Sequence, residues 1–231
     1  MIAIIGCDGS GKSTVSAEIL AWLNEYGPSE IVHLGKQSGN VGRSIARWPL
    51  VGKSIDRVIV SKSDSHRASR DKKAPGLLTA VVIIAFLLRR LLRFRRMLAL
   101  RRQGRIIVTD RFPQLEVPGA CDGLGLSATA PGNVIARWLA RRERDVYDWM
   151  TDFLPDLVLR LNVDLETAHA RKPDHTRESL ARKVAATPLL KFKGASIVDI
   201  DATAPLEDVV AAAKEAASRT MATRGYTRAN A

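Results

Sequence analysis

Eight consecutive residues near the amino terminus, Gly6-Cys7-Asp8-Gly9-Ser10-Gly11-Lys12-Ser13, satisfy the pattern G-x-x-x-x-G-K-[ST] in full. These residue types suit one task, the holding of a nucleoside triphosphate by its phosphates. Glycines let backbone N–H groups converge on phosphate oxygens with no Cβ in the way. A helix that follows such a loop points its positive end at the same oxygens. Lys12 is expected to reach the β- and γ-phosphates and Ser13 to hold Mg²⁺, with Thr14 completing the segment.

A loop of this kind works only when a strand delivers it and a helix leaves it. Residues 1–5 are a short apolar run that stops at Gly6 and reads as a buried strand. Residues 13–26 place Val15, Ile19, Leu20 and Leu23 at helical spacing and stop before Gly27-Pro28. Further strands are expected at 30–34, 105–109, 157–163 and 197–200, and further helices at 77–102, 133–153, 165–170, 178–186 and 206–219. Strands alternating with helices imply a parallel sheet covered on both faces, with ligands beyond the carboxyl ends of its strands. Residues 113–132 have the glycines and prolines of a loop, and the polar tail 221–231 is expected to be loose. One domain over residues 1–220 accommodates all of this, with 35–75 a long, basic, irregular insertion of the kind that often carries function.

The chain carries 36 Lys+Arg against 24 Asp+Glu, a net charge of +12, which favours anionic partners. No nucleic-acid recognition motif accompanies that charge. Two cysteines, Cys7 and Cys121, are too few for a disulfide scaffold and suit a reducing compartment. Met1 leads into an apolar strand without a basic leader, so a cytoplasmic location is expected. His33, His66, His169 and His175 share no metal-ligand spacing, and neither cysteine has a base partner in the sequence.

Four segments in fixed order resemble the thymidylate kinases of the nucleoside monophosphate kinase group. They are Gly6-x-Asp8-Gly9-x-Gly11-Lys12-Ser13-Thr14, residues 98–111 (LALRRQGRIIVTDR), Pro155-Asp156-Leu157-Val158-Leu159, and residues 199–209 (DIDATAPLEDV). The resemblance spans the core from residue 1 to about 216 and skips 37–75 and 114–132. It implies an α/β P-loop NTPase three-layer sandwich, a five-stranded parallel sheet with helices on both faces. It also implies ATP as co-substrate, Mg²⁺ at Ser13 and Asp110, and a homodimer.

Roles follow from the resemblance position by position. Arg111 would grip the acceptor's phosphate, and Asp110 would sit near Mg²⁺ and the acceptor. Arg89, with Arg90 as its alternative, would contact the acceptor from the preceding helix, and Asp8 would face its sugar hydroxyl. A lid over 171–177 would bring Arg171 and Arg177, with Lys172, onto the transferring phosphoryl, and Arg171 would also lie on adenine. Asp201, Ala202 and Thr203 would border the adenine. Phosphoryl transfer is mostly positioning and cancellation of spreading negative charge. Some members of the family place an arginine inside the P-loop for this purpose. Here those positions are Gly9 and Ser10, so a mobile cationic lid is expected to supply the charge and exclude water.

The acceptor side departs from the family. Where thymidylate kinases follow the second strand with Arg-Glu-Pro-Gly, this chain reads His33-Leu34-Gly35-Lys36-Gln37-Ser38. Where they follow Asp-Arg with a serine and a Tyr-Gln element, it reads Phe112-Pro113-Gln114-Leu115. Such a pattern keeps the donor and changes the acceptor. Lys36, Arg43 and Asp122 are candidate acceptor contacts. A sugar, or a membrane-linked glycan or polyprenyl carrier, is the alternative acceptor class, and a P-loop ATPase or switch is the alternative without an acceptor. Residues 77–88 are apolar apart from Thr79, and seven arginines follow at 89, 90, 93, 95, 96, 101 and 102 with no acid among them. The apolar run is too short to span a bilayer, but the basic stretch suits peripheral contact with an anionic membrane.

Overall fold

A computed structural model describes residues 1–35, 77–126 and 134–228. Lys36 and Arg43, and the remainder of the expected insertion beyond Gly35, lie outside the described residues. The five strands are β1 (Ile2–Gly6), β2 (Ser29–His33), β3 (Ile106–Asp110), β4 (Leu157–Asn162) and β5 (Ile197–Asp201). The α-helices among the described residues are α1 (Lys12–Leu23), α2 (Leu77–Arg102), α3 (Val134–Thr151), α4 (Leu165–Arg171), α5 (Arg177–Ala186) and α6 (Leu206–Thr223). The strands form one sheet in the order β2-β3-β1-β4-β5, with every pair parallel. The expected five-stranded parallel α/β sandwich is therefore the observed one.

Strand alternation sends β1 side chains to two cores. Ile2 and Ile4 join Val15, Ile19 and Leu23 of α1 and Val209, Ala213 and Ala217 of α6 on one face. Ala3 and Ile5 join Leu87, Phe94 and Met97 of α2 and Tyr147 and Met150 of α3 on the other. Burial on both faces is the reason β1 reads as an apolar run and β3 opens on three apolar residues, Ile106, Ile107 and Val108.

The helix that leaves β1 and the helix that follows β3 thus lie on opposite faces. Because β1 and β3 are neighbours with helices leaving to opposite faces, their carboxyl ends flank the position where sheets of this type bind ligands. Register places His33 beside Asp110 and Ile4 beside Asp110, so the ends of β1, β2 and β3 meet at one edge.

Two expectations about the chain's periphery need correction. The last helix continues to Thr223, and the segment after it is not loose as far as Arg228. The Arg228 guanidinium lies over the rings of Trp22 and Tyr26, where cation–π attraction holds it. No helix among the described residues is long and apolar enough to cross a membrane. The exposed side of α2 instead carries Leu88, Leu92, Arg89 and Arg95.

Phe94 is fully buried among Phe112, Trp149 and Phe153 and joins α2, α3 and the segment after β3. Phe94→Ala should cost about 3–5 kcal/mol, read as a lowered midpoint in urea unfolding.

Candidate active site

The P-loop follows β1 directly. Gly9 and Gly11 take positive φ, 87° and 83°, a conformation that side chains disfavour. A Cβ on Gly9 would stand 2.7 Å from the Ala168 carbonyl oxygen of α4, so the loop lies backbone against backbone on that helix. Gly11 is the N-cap of α1 and no side chain caps the helix, whereas Asp164 caps α4 and Thr176 caps α5. The first amides of α1 are thereby left for an anion. Lys12 Nζ donates to the Cys7 carbonyl at 2.5 Å. Burial lowers the Lys12 pKa, while neighbouring Asp8 supports its charge.

Asp8 is the meeting point of the site. Lys183 of α5 donates to its carboxylate, Arg111 Nη2 lies 3.4 Å from Oδ1, and His175 Nδ1 lies 4.0 Å from Oδ2. Burial opposes ionisation of Asp8, but Lys183, then Lys12 and Arg111, outweigh it and hold its pKa well below the usual carboxylate range. Arg111 in turn is burdened by burial but surrounded by Asp122, Asp8 and Asp110, which keep it firmly charged.

Asp110 ends β3. Its Oδ2 lies 3.1 Å from His33 Nδ1, and its Oδ1 is buried with no hydrogen-bond partner among the described residues. A carboxylate oxygen left unsatisfied beside the P-loop, together with the exposed Ser13 hydroxyl at the start of α1, is a hard-oxygen donor set that fits Mg²⁺.

The arginines of α2 divide by depth. Arg90 was one of the two expected acceptor contacts. It is instead fully buried, with Nη1 donating to the Asp122 carbonyl at 3.0 Å and the Tyr147 hydroxyl at 2.7 Å, and Nη2 donating to the Arg111 carbonyl at 2.7 Å. Every direction of the fork but one meets protein, so Arg90 holds the site's scaffold and does not reach into the site. Burial pushes the Tyr147 phenol up to about 12, which keeps it a neutral hydrogen-bonding partner. Arg89 is exposed on α2. The arginine of this helix that approaches the site is Arg93, whose Nη1 donates to the Gly35 carbonyl at 2.8 Å and whose charge Asp110 favours.

The lid segment is a short turn between α4 and the N-cap Thr176 of α5. Arg171 Nη1 donates to the Ala202 carbonyl at 2.8 Å and lies 3.4 Å from the Gly9 carbonyl oxygen, which ties the P-loop to the end of β5. There the Asp201 carboxylate accepts from Thr203 N and Oγ1 at 2.9 and 2.6 Å, which shapes the 201–203 turn. Arg177 forms a two-point pair with Glu166 of α4 and stays half exposed, apart from Asp8.

Several residues that build the site were not singled out from sequence. Gln114 is fully buried and donates to the carbonyls of Val117 and Ala120, both at 2.8 Å, while its amide oxygen accepts from Val117 N. Buried Glu143 of α3 accepts from the amides of Gly125 and Leu126 at 2.9 and 2.7 Å. Together they hold the loop that carries Asp122. Lys183 had a visible signal, because it lies on the α5 stripe of Ser179, Leu180 and Ala186 that faces inward. A lysine at such a position needs a carboxylate partner. Cys7 and Cys121 have thiols that burial pushes up, consistent with no nucleophilic role.

A P-loop on the first strand of a parallel sheet and an Asp-Arg pair ending the adjacent strand define a P-loop NTPase with a nucleotide-kinase-like fold. The solved structure of deoxyadenosine kinase from M. mycoides with bound dATP shares this fold, with a TM-score of 0.50 at 14% identity over 94% of this chain and 98% of that one. Two proteins of Escherichia coli strain K12 are nearer in sequence. The uncharacterized ATP-binding protein YghS is 42% identical over 217 residues, 94% of this chain and 91% of that protein. The uncharacterized ATP-binding protein YghR is 38% identical over 219 residues, 94% of this chain and 86% of that protein. The chain belongs to the family of YghS and YghR. No protein-family model matches it.

Removing the Arg90 fork strands a buried hydroxyl and two carbonyls. Arg90→Met should therefore cost about 3–5 kcal/mol, measured by chemical unfolding. Asp8 gives a pH signature. Its folded pKa lies below the unfolded value of roughly 4, so its contribution is complete above that value and lost as pH falls through the folded pKa. Thermal melts should show wild-type stability falling steeply from about pH 4 downward, with a shallower fall in Asp8→Asn.

Proposed function

We propose that the protein is a kinase that uses MgATP and passes the γ-phosphoryl group to a phosphate-bearing acceptor of the nucleoside monophosphate class. The observation that carries this reading is Asp8. One carboxylate in the P-loop binds both the acceptor-side Arg111 and the α5 cation Lys183, so triphosphate loop and acceptor groups share one edge of the sheet. The names of YghS and YghR support ATP as donor, and the kinase with a bound nucleotide among the solved structures supports phosphoryl transfer. The cationic acceptor side, with Arg111 and Arg93, favours an acceptor that already carries a phosphate over a bare hydroxyl compound. Thymidylate itself is not singled out, because the loop after Arg111 differs from that of the thymidylate kinases.

In this mechanism the P-loop amides and Lys12 hold the β- and γ-phosphates, and Arg111 holds the acceptor's phosphate in line with the γ-phosphorus. Ser13 and Asp110 would hold Mg²⁺, which would supply neutralisation of the triphosphate's charge. The acceptor oxygen forms a bond to the γ-phosphorus as the bond from that phosphorus to the bridging oxygen breaks. ADP leaves with the bonding electron pair, and the acceptor's proton passes to solvent. Arg171 and the 201–203 turn border the base of ATP. The rate gain comes from alignment and from charge cancellation in a site that excludes water.

Incubation with γ-labelled ATP and separate pools of nucleoside monophosphates, sugars and polyprenyl phosphates tests the reading. Label should appear in a nucleoside monophosphate, and Lys12→Ala should lower transfer by about 10²-fold or more. Label found only in inorganic phosphate would replace the kinase reading with an ATPase, and label in the sugar or polyprenyl pool would move the acceptor class.

A further inference from the structure

We infer that Lys183 is the cation that meets the γ-phosphoryl group during transfer, in the place an arginine of the loop or lid would otherwise take. The inference rests on the kinase reading above and adds a catalytic residue to it.

Phosphoryl transfer spreads negative charge over the equatorial oxygens, and a cation set between donor and acceptor stabilises that charge. The other expected places for it are taken. Gly9 has no room for a side chain, since its Cβ would press on the backbone of Ala168. Arg171 is held between the Ala202 carbonyl at the end of β5 and the Gly9 carbonyl. Arg177 is occupied by Glu166 on the outer side of α4. Arg111 lies against Gly35, where a Cβ would stand 2.3 Å from its Cδ, and is the group that grips the acceptor.

Lys183 alone of the α4 and α5 cations described reaches a P-loop carboxylate. Its ammonium stands where Arg111 also meets the loop, at the boundary of donor and acceptor halves. Its backbone is fixed as well, since its carbonyl accepts from the Thr187 hydroxyl at 2.8 Å and from the Cys121 thiol at 3.7 Å. A flexible four-carbon stem lets the ammonium pass from the Asp8 oxygen to a γ-phosphoryl oxygen nearby. In the step itself, the acceptor oxygen bonds to the γ-phosphorus, the bridging oxygen leaves on ADP with the electron pair, and the acceptor's proton goes to solvent. Lys183 keeps all its protons and contributes charge and hydrogen bonds.

Single-turnover transfer from γ-labelled ATP, to the acceptor found in the screen and to water, is measured for wild type, Lys183→Ala, Lys183→Arg and Asp8→Asn/Lys183→Ala. Binding of a fluorescent ATP analogue and thermal melting are measured alongside. Lys183→Ala should lower the transfer rate about 10²–10³-fold while ATP affinity changes less than about threefold. Lys183→Arg should regain at least a tenth of the rate, and the double variant should stay as slow as Lys183→Ala. A wild-type-like rate in Lys183→Ala overturns the inference. So does recovery in the double variant, which would reduce Lys183 to a structural partner of Asp8. Should alanine unfold the chain, Lys183→Gln replaces it, with the same outcomes. A wild type that binds ATP and transfers to nothing, water included, instead overturns the kinase reading and the inference with it.

Discussion

One buried guanidinium holds the Arg111 side of the candidate site together. Arg90 leaves α2 inside the protein and joins three segments distant in sequence, by donating to the carbonyls of Arg111 and Asp122 and to the hydroxyl of Tyr147. A charged group with almost no exposure is costly unless nearly every hydrogen is matched. That cost is what makes the arrangement specific, because each bond demands its carbonyl or hydroxyl at one place. Arg111 and Asp122 themselves have positive φ, 54° and 66°, conformations uncommon for side chains other than glycine. Residues with such dihedrals persist where surrounding structure over-determines them, and the Arg90 fork does so here.

The Arg90 scaffold sets the position from which Arg111 reaches Asp8, and Asp8 joins the Arg111 side of the site to the P-loop. A carboxylate in a loop built to hold phosphate is self-defeating by charge alone. The cations around it resolve the conflict, since Lys183, Lys12 and Arg111 together exceed its charge and leave the site positive. Asp8 therefore works as an internal counter-ion. It gathers cations from β3, the P-loop and α5 and keeps them at one point.

Much of the donor half was legible in the sequence, since the P-loop pattern, the strand before it and the helix after it are local features. The strand order was not, because alternation and right-handed crossovers allow several orders. What stayed hidden depends on long-range contacts. Seven arginines on one helix look alike in sequence, and only packing separates buried Arg90, site-facing Arg93 and exposed Arg89. Lys183 meets a residue 175 positions away, beyond any periodicity. Arg177 read as a lid cation because its neighbour across the turn, Glu166, is not a neighbour in sequence.

The same network accounts for how the loop after Arg111 can vary while the P-loop does not. The loop after Arg111 satisfies its own backbone through Gln114, Glu143 and Arg90, each drawn from inside the protein. Its exposed positions, Glu116 and Pro118 among them, carry little of that burden. They can be replaced without stranding a buried polar group. The P-loop has no such freedom, because Gly9 lies against the Ala168 backbone and the α1 amides must remain open to phosphate. A fold with one half fixed by backbone geometry and the other held by side chains from beneath is suited to keep its phosphate loop while the opposite loop varies.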